Sequence, residues 1–553
     1  MKKEIKSVII FPPGACPVSP YLSLPLLVGQ LIKAGYDSKC LDLNAEFFNY
    51  IFSSDFISKN IDKKEIEKKN LLKEVETAVK TYKSNDFFEP KNFFRAMKVL
   101  SYVLELYSKK YNCDLSFSDL KVKGYDYSYK SLFECSKSFN LFDDFFKEEI
   151  KKIKDIDFVG VSVCYASQLL PAFIFMRLVK KYTKAKVALG GNLMTRNPEV
   201  FSENLEFFDV FADFVLTGDG EVSIVKLLDA LKNEKILDNV SGLIYKQNGK
   251  VVTNKIEKIK NLSEVAVPNC TGLDFSKYFI PETIFPIQIS RGCYWGKCSF
   301  CDIRNDKKYF IIKTPKQVVD EIVEIKEKYG ISSFEFTDES LPPEYHSCLA
   351  DELITRKVDI NFYCMVRLEK KFTKELLSKM QKAGAKMLSW GYEAGSPRVL
   401  SLMNKGIDSR ARYRILKDSA SLGIWNHIFI MFGFPTETFK ESLYTAKSVA
   451  KHKDIIDSYI TMDFILRKHC DVTAKNKTYE IENIDKKSNL LSDYDFSFQD
   501  ISHKKRSNYY AKLRKKYLYS DSLPLWQITL PDEYLFLRVL KSSRETIKNI
   551  HLK

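Results

Sequence analysis

No window of this 553-residue chain holds the ~18 consecutive apolar residues that a membrane-crossing helix needs. The apolar run near the start, Val8–Phe11, meets Pro12 and Pro13 at once, which excludes a cleaved secretory signal. Glycine (21) and proline (18) are too scarce for collagen-like or low-complexity chains. Histidine is rarer still, with six residues at positions 346, 427, 452, 469, 503 and 551. A cytoplasmic protein is the expectation, so the 12 cysteines read as thiols or metal ligands rather than disulfides.

What is abundant is aromatic: 40 Phe and 30 Tyr supply apolar area that excludes global disorder. Hydrophobic residues at 45% and charged residues at 29% are the mix of a globular protein, and the length predicts two to four domains. Lysine and arginine exceed aspartate and glutamate by 87 − 71 = +16. The excess is spread along the chain, which reads as solvated helix faces, and nucleic acid is not an expected partner.

The first half alternates short apolar runs with helical spacing. Strands are expected at Lys6–Pro13, Ser38–Asn44, Asp157–Val163, Lys186–Asn192 and Ala212–Gly218, with helices at Leu22–Ala34, up to Lys181 and at Glu221–Leu231. Such alternation implies a parallel sheet with right-handed crossovers, a Rossmann-like architecture. Ligands of these sheets lie beyond the carboxyl ends of strands. There the sequence offers Pro12-Pro13-Gly14, Ser162, Gly190-Gly191-Asn192 and Gly218-Asp219-Gly220-Glu221. Glycine lets backbone approach a ligand, and equally makes a plain turn. Residues 45–154 are too long for a loop and mostly helical in period, so a helical insertion with an aromatic core is expected. Residues 241–254 read as a hairpin turning at Asn248-Gly249. The first domain is therefore placed at 1–254, with a linker at 255–283.

The second half, 284–470, repeats six strand–helix units. Strands are expected at Ile284–Ser290, Ser333–Thr337, Ile360–Val366, Met387–Tyr392, His427–Phe432 and Tyr459–Phe464, and helices at Pro315–Tyr329, Lys374–Ala383, Arg410–Leu422 and Phe439–Lys451. This is the pattern of a partial (β/α)6 TIM-type barrel, whose working residues follow the carboxyl ends of strands. Arg291–Cys301, Asp338, Glu339, Arg367, Glu393 and Gly433-Phe434-Pro435 stand at those ends. Residues 471–553 are expected to form a small, mainly helical region. In it His503–Tyr519 reads as a basic amphipathic helix packed on the barrel, and Leu523–Lys541 as an apolar cap on the open barrel edge.

Arg291–Asp302, RGCYWGKCSFCD, is the strongest local signal. Cys293, Cys298 and Cys301 lie within nine residues at C-x4-C-x2-C spacing. Thiolates suit an iron–sulfur cluster or zinc. A zinc site calls for a fourth nearby ligand, and none is in local sequence. Three ligands on a four-iron cluster leave one iron open. The remaining nine cysteines are scattered and read as small apolar core residues.

With these residues in place, the chain over about 5–470 resembles the radical S-adenosylmethionine (SAM) enzymes that carry an N-terminal cobalamin-binding-type domain. The resemblance runs through Pro12-Pro13, Asp42-Leu43-Asn44, Gly190-Gly191-Asn192 and Gly218-Asp219-Gly220-Glu221 in the first domain. In the barrel it runs through the Cys loop, Asp338-Glu339-Ser340, Gly391–Ser396, Met403-Asn404-Lys405-Gly406 and Gly433–Thr438. The family's usual spacing is C-x3-C-x2-C, and Trp295-Gly296 is expected to absorb the extra residue in a wider turn.

The resemblance implies that Cys293, Cys298 and Cys301 hold a [4Fe–4S] cluster whose open iron binds SAM, yielding a 5′-deoxyadenosyl radical. It places Phe300 near the adenine, Asp338 or Glu339 on the methionine ammonium, Arg367 on its carboxylate and Glu393 on the ribose hydroxyls. It implies cobalamin in the first domain along Pro13, Gly14, Ser162, Gly190, Gly191, Asn192, Gly218 and Glu221. No histidine lies in that domain and no D-x-H-x-x-G occurs, so a cobalamin there lacks a histidine lower ligand from it. The implied activity is methylation of an unactivated carbon, with an electron donor such as flavodoxin or ferredoxin. Radical rearrangement, cyclisation or carbon–carbon coupling shares every motif, and a zinc-containing RNA- or protein-binding module is the reading from another class. The substrate, whether small molecule, lipid or peptide, is not readable.

Overall fold

The computed structural model describes residues 4–302, 309–485, 490–491, 493–498, 501–519, 523–524 and 531–552. They form two compact units, Met1–Thr283 with Ser488–Ser492, and Ile284–Lys487 with Asp493–Lys553.

The first unit is built on a sheet of seven strands: β1 Lys6–Phe11, β2 Asp37–Asp42, β3 Phe158–Ser162, β4 Lys186–Gly190, β5 Phe214–Leu216, β6 Leu243–Gln247 and β7 Lys250–Thr253. Their spatial order is β2-β1-β3-β4-β5-β6-β7. The first five run parallel, and β6 and β7 add an antiparallel hairpin at the edge. Asn248 (φ +49°) and Gly249 (φ +74°) make its turn, both left-handed as a type I′ turn requires. Strands β1 and β3 are buried almost throughout, the mark of a sheet covered on both faces. Helices Ser23–Lys33 and Gly220–Lys232 share one core with them through Leu24, Val28, Leu31, Ile224, Leu227 and Leu228.

The insertion folds as helices with one short hairpin, Cys113–Leu115 with Leu120–Val122. Its aromatics make the core: Phe47, Phe48, Phe52, Phe56, Tyr82, Phe87 and Phe93 are buried, and Phe117 stacks on Phe48 with ring centroids 5.1 Å apart.

The second unit holds a parallel sheet of six strands in chain order: β8 Ile284–Ile287, β9 Ser333–Phe336, β10 Asn361–Arg367, β11 Ala385–Glu393, β12 Trp425–Phe432 and β13 Ser458–Asp463. Besides the anticipated helices, Pro343–Thr355 is helical, entered through Pro342-Pro343. Proline at the first helical position gives up only an N–H that has no partner there anyway.

Beyond β13 the sequence reading is incomplete. Among the described residues, strand Asp493–Phe498 pairs antiparallel with Leu466–Arg467, Ile481–Asp485 and Ile501–Ser502. These strands are short and rich in acidic residues, so no apolar run announced them. His503–Tyr517 is a helix packed on the barrel: Tyr510 and Leu513 are buried, Tyr510 stacks on Phe432, and Arg514 pairs with Asp463 at 2.5 Å. Of the segment expected as an apolar cap, residues 525–530 lie outside the described residues, and Asp532–Lys541 is a helix with Tyr534, Leu535, Phe536 and Leu537 buried. The cysteine expectation needs correction too. Cys40, Cys113, Cys270, Cys364 and Cys470 are buried, but Cys16, Cys135 and Cys164 are half-buried and Cys348 is exposed on its helix.

The Asp532–Lys541 helix docks against the barrel strands, with Phe536 on Tyr363 at 4.9 Å between ring centroids. It brings Asp532 and Glu533 toward Glu335 on β9. Burial, then the neighbouring carboxylates, push Glu335 and Glu533 well above the ordinary carboxylate range. A carboxyl whose folded value is raised stabilises docking fully below its unfolded value, about 4.3, and that contribution is lost as pH rises through the folded value. Amide exchange over 532–541 should therefore accelerate from pH 6 to 9 beyond its intrinsic pH dependence, and Glu533→Gln should flatten the response. An unchanged dependence in Glu533→Gln would refute the assignment.

Candidate active site

Past β8 the chain makes a two-residue ladder, Ser290–Arg291 against Ile311–Ile312, before the Cys loop. Asp338, just beyond β9, anchors this stretch. Its carboxylate accepts Ile289 N–H at 3.1 Å, Ser290 N–H and the Ser290 hydroxyl at 2.7 Å. Burial pushes it up to about 6 against those bonds. Asp338 is thus bound to the barrel backbone. Glu339 beside it is exposed.

The Cys loop has little regular structure and is strapped to the segment after β11. Ser299 N–H donates to Met403 O and Ser299 Oγ to Leu402 O, both at 2.9 Å. Trp295 Nε1–H donates to Asn404 O at 2.9 Å. Gly406 lies under the indole at φ +68°, where a Cβ would come within 2.3 Å of the ring. Gly296 takes φ +56°, so the additional residue between Cys293 and Cys298 sits in a left-handed turn.

Arg367, at the end of β10, ties the two segments together. Its guanidinium lies 4.0 Å from the Trp295 ring centroid, and donates to Tyr294 Oη at 2.9 Å, Glu369 at 2.8 Å and Lys405 O at 2.6 Å. Burial lowers it to about 10, with the Cys298 and Cys293 thiols acting in the opposite sense. Both terminal nitrogens are therefore engaged by the protein, and Nε–H alone lacks a partner.

Glu393 ends β11 at φ +59°, a strained conformation for a residue with a Cβ, where the β11–β12 register shifts. Its carboxylate is almost fully buried and pairs with Lys405 Nζ at 2.6 Å. Phe300 packs with Ala394, Met403 and Phe434, and the Lys405 ammonium lies 5.9 Å from its ring centroid. Phe300, Arg367, Glu393 and Lys405 thus gather at the Cys298 end of the loop. Lys405 had no role in the sequence reading, although its M-N-K-G run was visible. The signal available was the Gly at its end, which only a close approach by another segment explains.

In the first unit the strand order reverses between β1 and β3, the switch point where such sheets bind ligands. Pro13, Gly14 and Ser162 are there, with Gly190, Gly191 and Asn192 after β4 and Gly218 and Glu221 after β5. Gln168 clasps the two strand ends, donating to Pro12 O at 2.8 Å and accepting Cys164 N–H at 2.9 Å. Asn44 Oδ1 accepts Gly14 N–H and Ala15 N–H, both at 3.1 Å. Two glycines are explained by the protein itself: a Cβ on Gly14 would lie 2.6 Å from Ser167 O, and one on Gly191 2.0 Å from Val163 O. A Cβ on Gly190 would make only ordinary contacts, and Asn192 is exposed, so this edge is open. Glu221 is buried.

Residues 287–449, the barrel with its Cys loop, match the radical SAM superfamily. That stretch is a radical SAM domain. Over 312 residues it is 28% identical to an uncharacterised methyltransferase of Pyrococcus horikoshii, covering 55% of this chain and 66% of that protein. The fold is similar to that of OxsB, a cobalamin-dependent SAM radical enzyme solved with aqua-cobalamin and SAM (TM-score 0.60, 17% identity, 92% of this chain and 66% of that one). It is also similar to the radical SAM methyltransferase TsrM of Kitasatospora setae, solved with cobalamin and a [4Fe–4S] cluster (TM-score 0.54, 16% identity, 85% and 74%). The chain spans about two thirds of the first two of these relatives.

A radical SAM enzyme works with a [4Fe–4S] cluster and SAM, and the donor set of the loop fits the cluster. Cys293, Cys298 and Cys301 are all half-buried, neither sealed in the core nor fully solvated. Burial raises the Cys298 thiol while Lys405 and Arg367 favour its thiolate. Among the described residues no three His, Cys, Asp or Glu side chains converge on one ion. Cys298→Ala should lose most iron after anaerobic reconstitution, and Cys364→Ala, buried on β10, should keep it. Full iron content in the Cys298 variant would show the ligand assignment to be wrong.

Proposed function

We propose that this radical SAM enzyme carries out cobalamin-dependent methylation of an unactivated carbon. The observation that carries the reading is the pairing, in one chain, of the strapped Cys loop with a parallel sheet whose histidine-free strand ends form a switch-point crevice. Cys293, Cys298 and Cys301 hold the cluster. When bound, the cluster and SAM supply a 5′-deoxyadenosyl radical, and cobalamin supplies the methyl group.

The chain's own residues then bind and orient. Glu393 accepts the SAM ribose hydroxyls, held in place by its strained backbone and Lys405. Glu339, exposed beside the committed Asp338, takes the methionine ammonium. Phe300 offers an apolar face to the adenine. Arg367 braces the Cys loop, and its unpartnered Nε–H is the donor left for the methionine carboxylate. In the first unit Pro13, Gly14, Ser162, Gly190, Gly191, Asn192, Gly218 and Glu221 line the strand ends offered to cobalamin. The sequence 1–283 contains no imidazole, so the lower face of the cobalt meets no histidine of this unit. Methyltransferase names among the relatives support the reading, as do the cobalamin-bound structures of similar fold.

Losing hydrogen bonds to a charged acceptor, about 1.5–3 kcal/mol, weakens binding roughly ten- to a hundred-fold. Glu393→Gln should raise the SAM dissociation constant by that factor with the cluster spectrum intact, and an unchanged constant would remove Glu393 from the SAM site. Cells grown with cobalamin should yield protein with near-stoichiometric cobalt and a base-off spectrum, and label from deuterated methyl-SAM should reach the product. Cobalt near zero alongside active SAM cleavage would refute methyl transfer and leave cobalamin-free radical chemistry.

A further inference from the structure

Lys405 is nearly buried, and its Nζ lies 2.6 Å from Glu393 Oε1. A Cβ on Gly391 would stand 2.6 Å from that ammonium, so glycine on β11 leaves the room the charge occupies. The Lys405 backbone is fixed by Arg367, whose Nη2–H donates to its carbonyl, and the preceding carbonyl, of Asn404, receives the Trp295 indole N–H. The ammonium is therefore held to the Cys loop by its own main chain as well as by its ion pair. The ammonium also lies 5.9 Å from the ring centroid of Phe300, which stands in the Cys loop between Cys298 and Cys301.

We propose that Lys405 is a positioning residue whose buried ammonium, paired with Glu393 beside the Cys loop, sets the reduction potential of the cluster. The inference rests on the assignment of the cluster to Cys293, Cys298 and Cys301. A reduced cluster carries one more negative charge than its oxidised form, and a buried cation beside the loop that holds it favours the reduced form. Cluster potentials respond to such charge and to hydrogen bonding at the sulfurs. Salt screens the effect little, because the pair is largely out of solvent. Arg367 adds a second cation, but both its terminal nitrogens are engaged elsewhere, whereas the Lys405 charge sits at the end of a chain aimed at the loop. Glu393, its ion-pair partner, carries the opposite charge.

The test is a potentiometric titration, followed by electron paramagnetic resonance, of the full chain reconstituted anaerobically without SAM. Lys405→Met should lower the midpoint by at least a tenfold change in the one-electron equilibrium, 59 mV. Lys405→Arg, which keeps the charge, should retain most of the wild-type value. Glu393→Gln keeps the cation and removes the anion, so its midpoint should rise, which tests the idea even if Lys405→Met holds iron poorly. Unchanged midpoints in Lys405→Met and Glu393→Gln with full iron would overturn the inference and leave Lys405 a packing residue. Wild-type protein without a reducible cluster would overturn the cluster assignment itself, and the inference with it.

Discussion

The barrel's chemistry depends on the clasp between the Cys loop and the segment 402–406. A loop without a ladder of its own has main-chain groups to satisfy and no repeating partner. Here Ser299 and Trp295 find the carbonyls of Leu402, Met403 and Asn404, and Arg367 lies across both segments. The clasp fixes where the three thiols stand, and the same segment delivers Lys405 to Glu393. Gly406 is glycine because the Trp295 ring occupies the space of its Cβ. Breaking any one strand of this clasp loosens the Cys loop and the Lys405–Glu393 pair together.

The first unit solves a related problem by other means. Its strand ends are tied by amide side chains, Asn44 beneath Gly14 and Gln168 between Pro12 and Cys164. Asp42 closes the set, accepting the first N–H groups of the next helix and the Tyr278 hydroxyl at 2.8 Å. Several glycines that look poised for a ligand are needed for the protein's own backbone to pass, so glycine at a strand end is weaker evidence of binding than the switch point itself.

Much of the architecture was legible because it is periodic. Apolar runs of four to eight residues alternating with helical spacing gave the strands of both sheets and the order of the barrel units. The strands around Asp493–Phe498 were missed because they are short and their apolar residues, such as Tyr494 and Phe496, alternate with polar ones instead of forming a run. The helix Pro343–Thr355, with proline at its start, was not read from the sequence. Cys348 was read as core, yet its helix turns it outward.

The sequence by itself determined the two sheets, the three clustered cysteines and the absence of histidine before residue 346, because each is local or a matter of composition. Only the tertiary structure decided what the charged residues do. Asp338 and Glu393 both end barrel strands, yet one is bound to the backbone of residues 289–290 and the other to Lys405. Arg367 braces the Cys loop through its terminal nitrogens, which donate to Tyr294 and to the Lys405 carbonyl. These partners come from different turns and strands, as far apart as Trp295 and Asn404. A side chain's role there follows from which neighbour reaches it first as the barrel closes, and no local pattern carries that information.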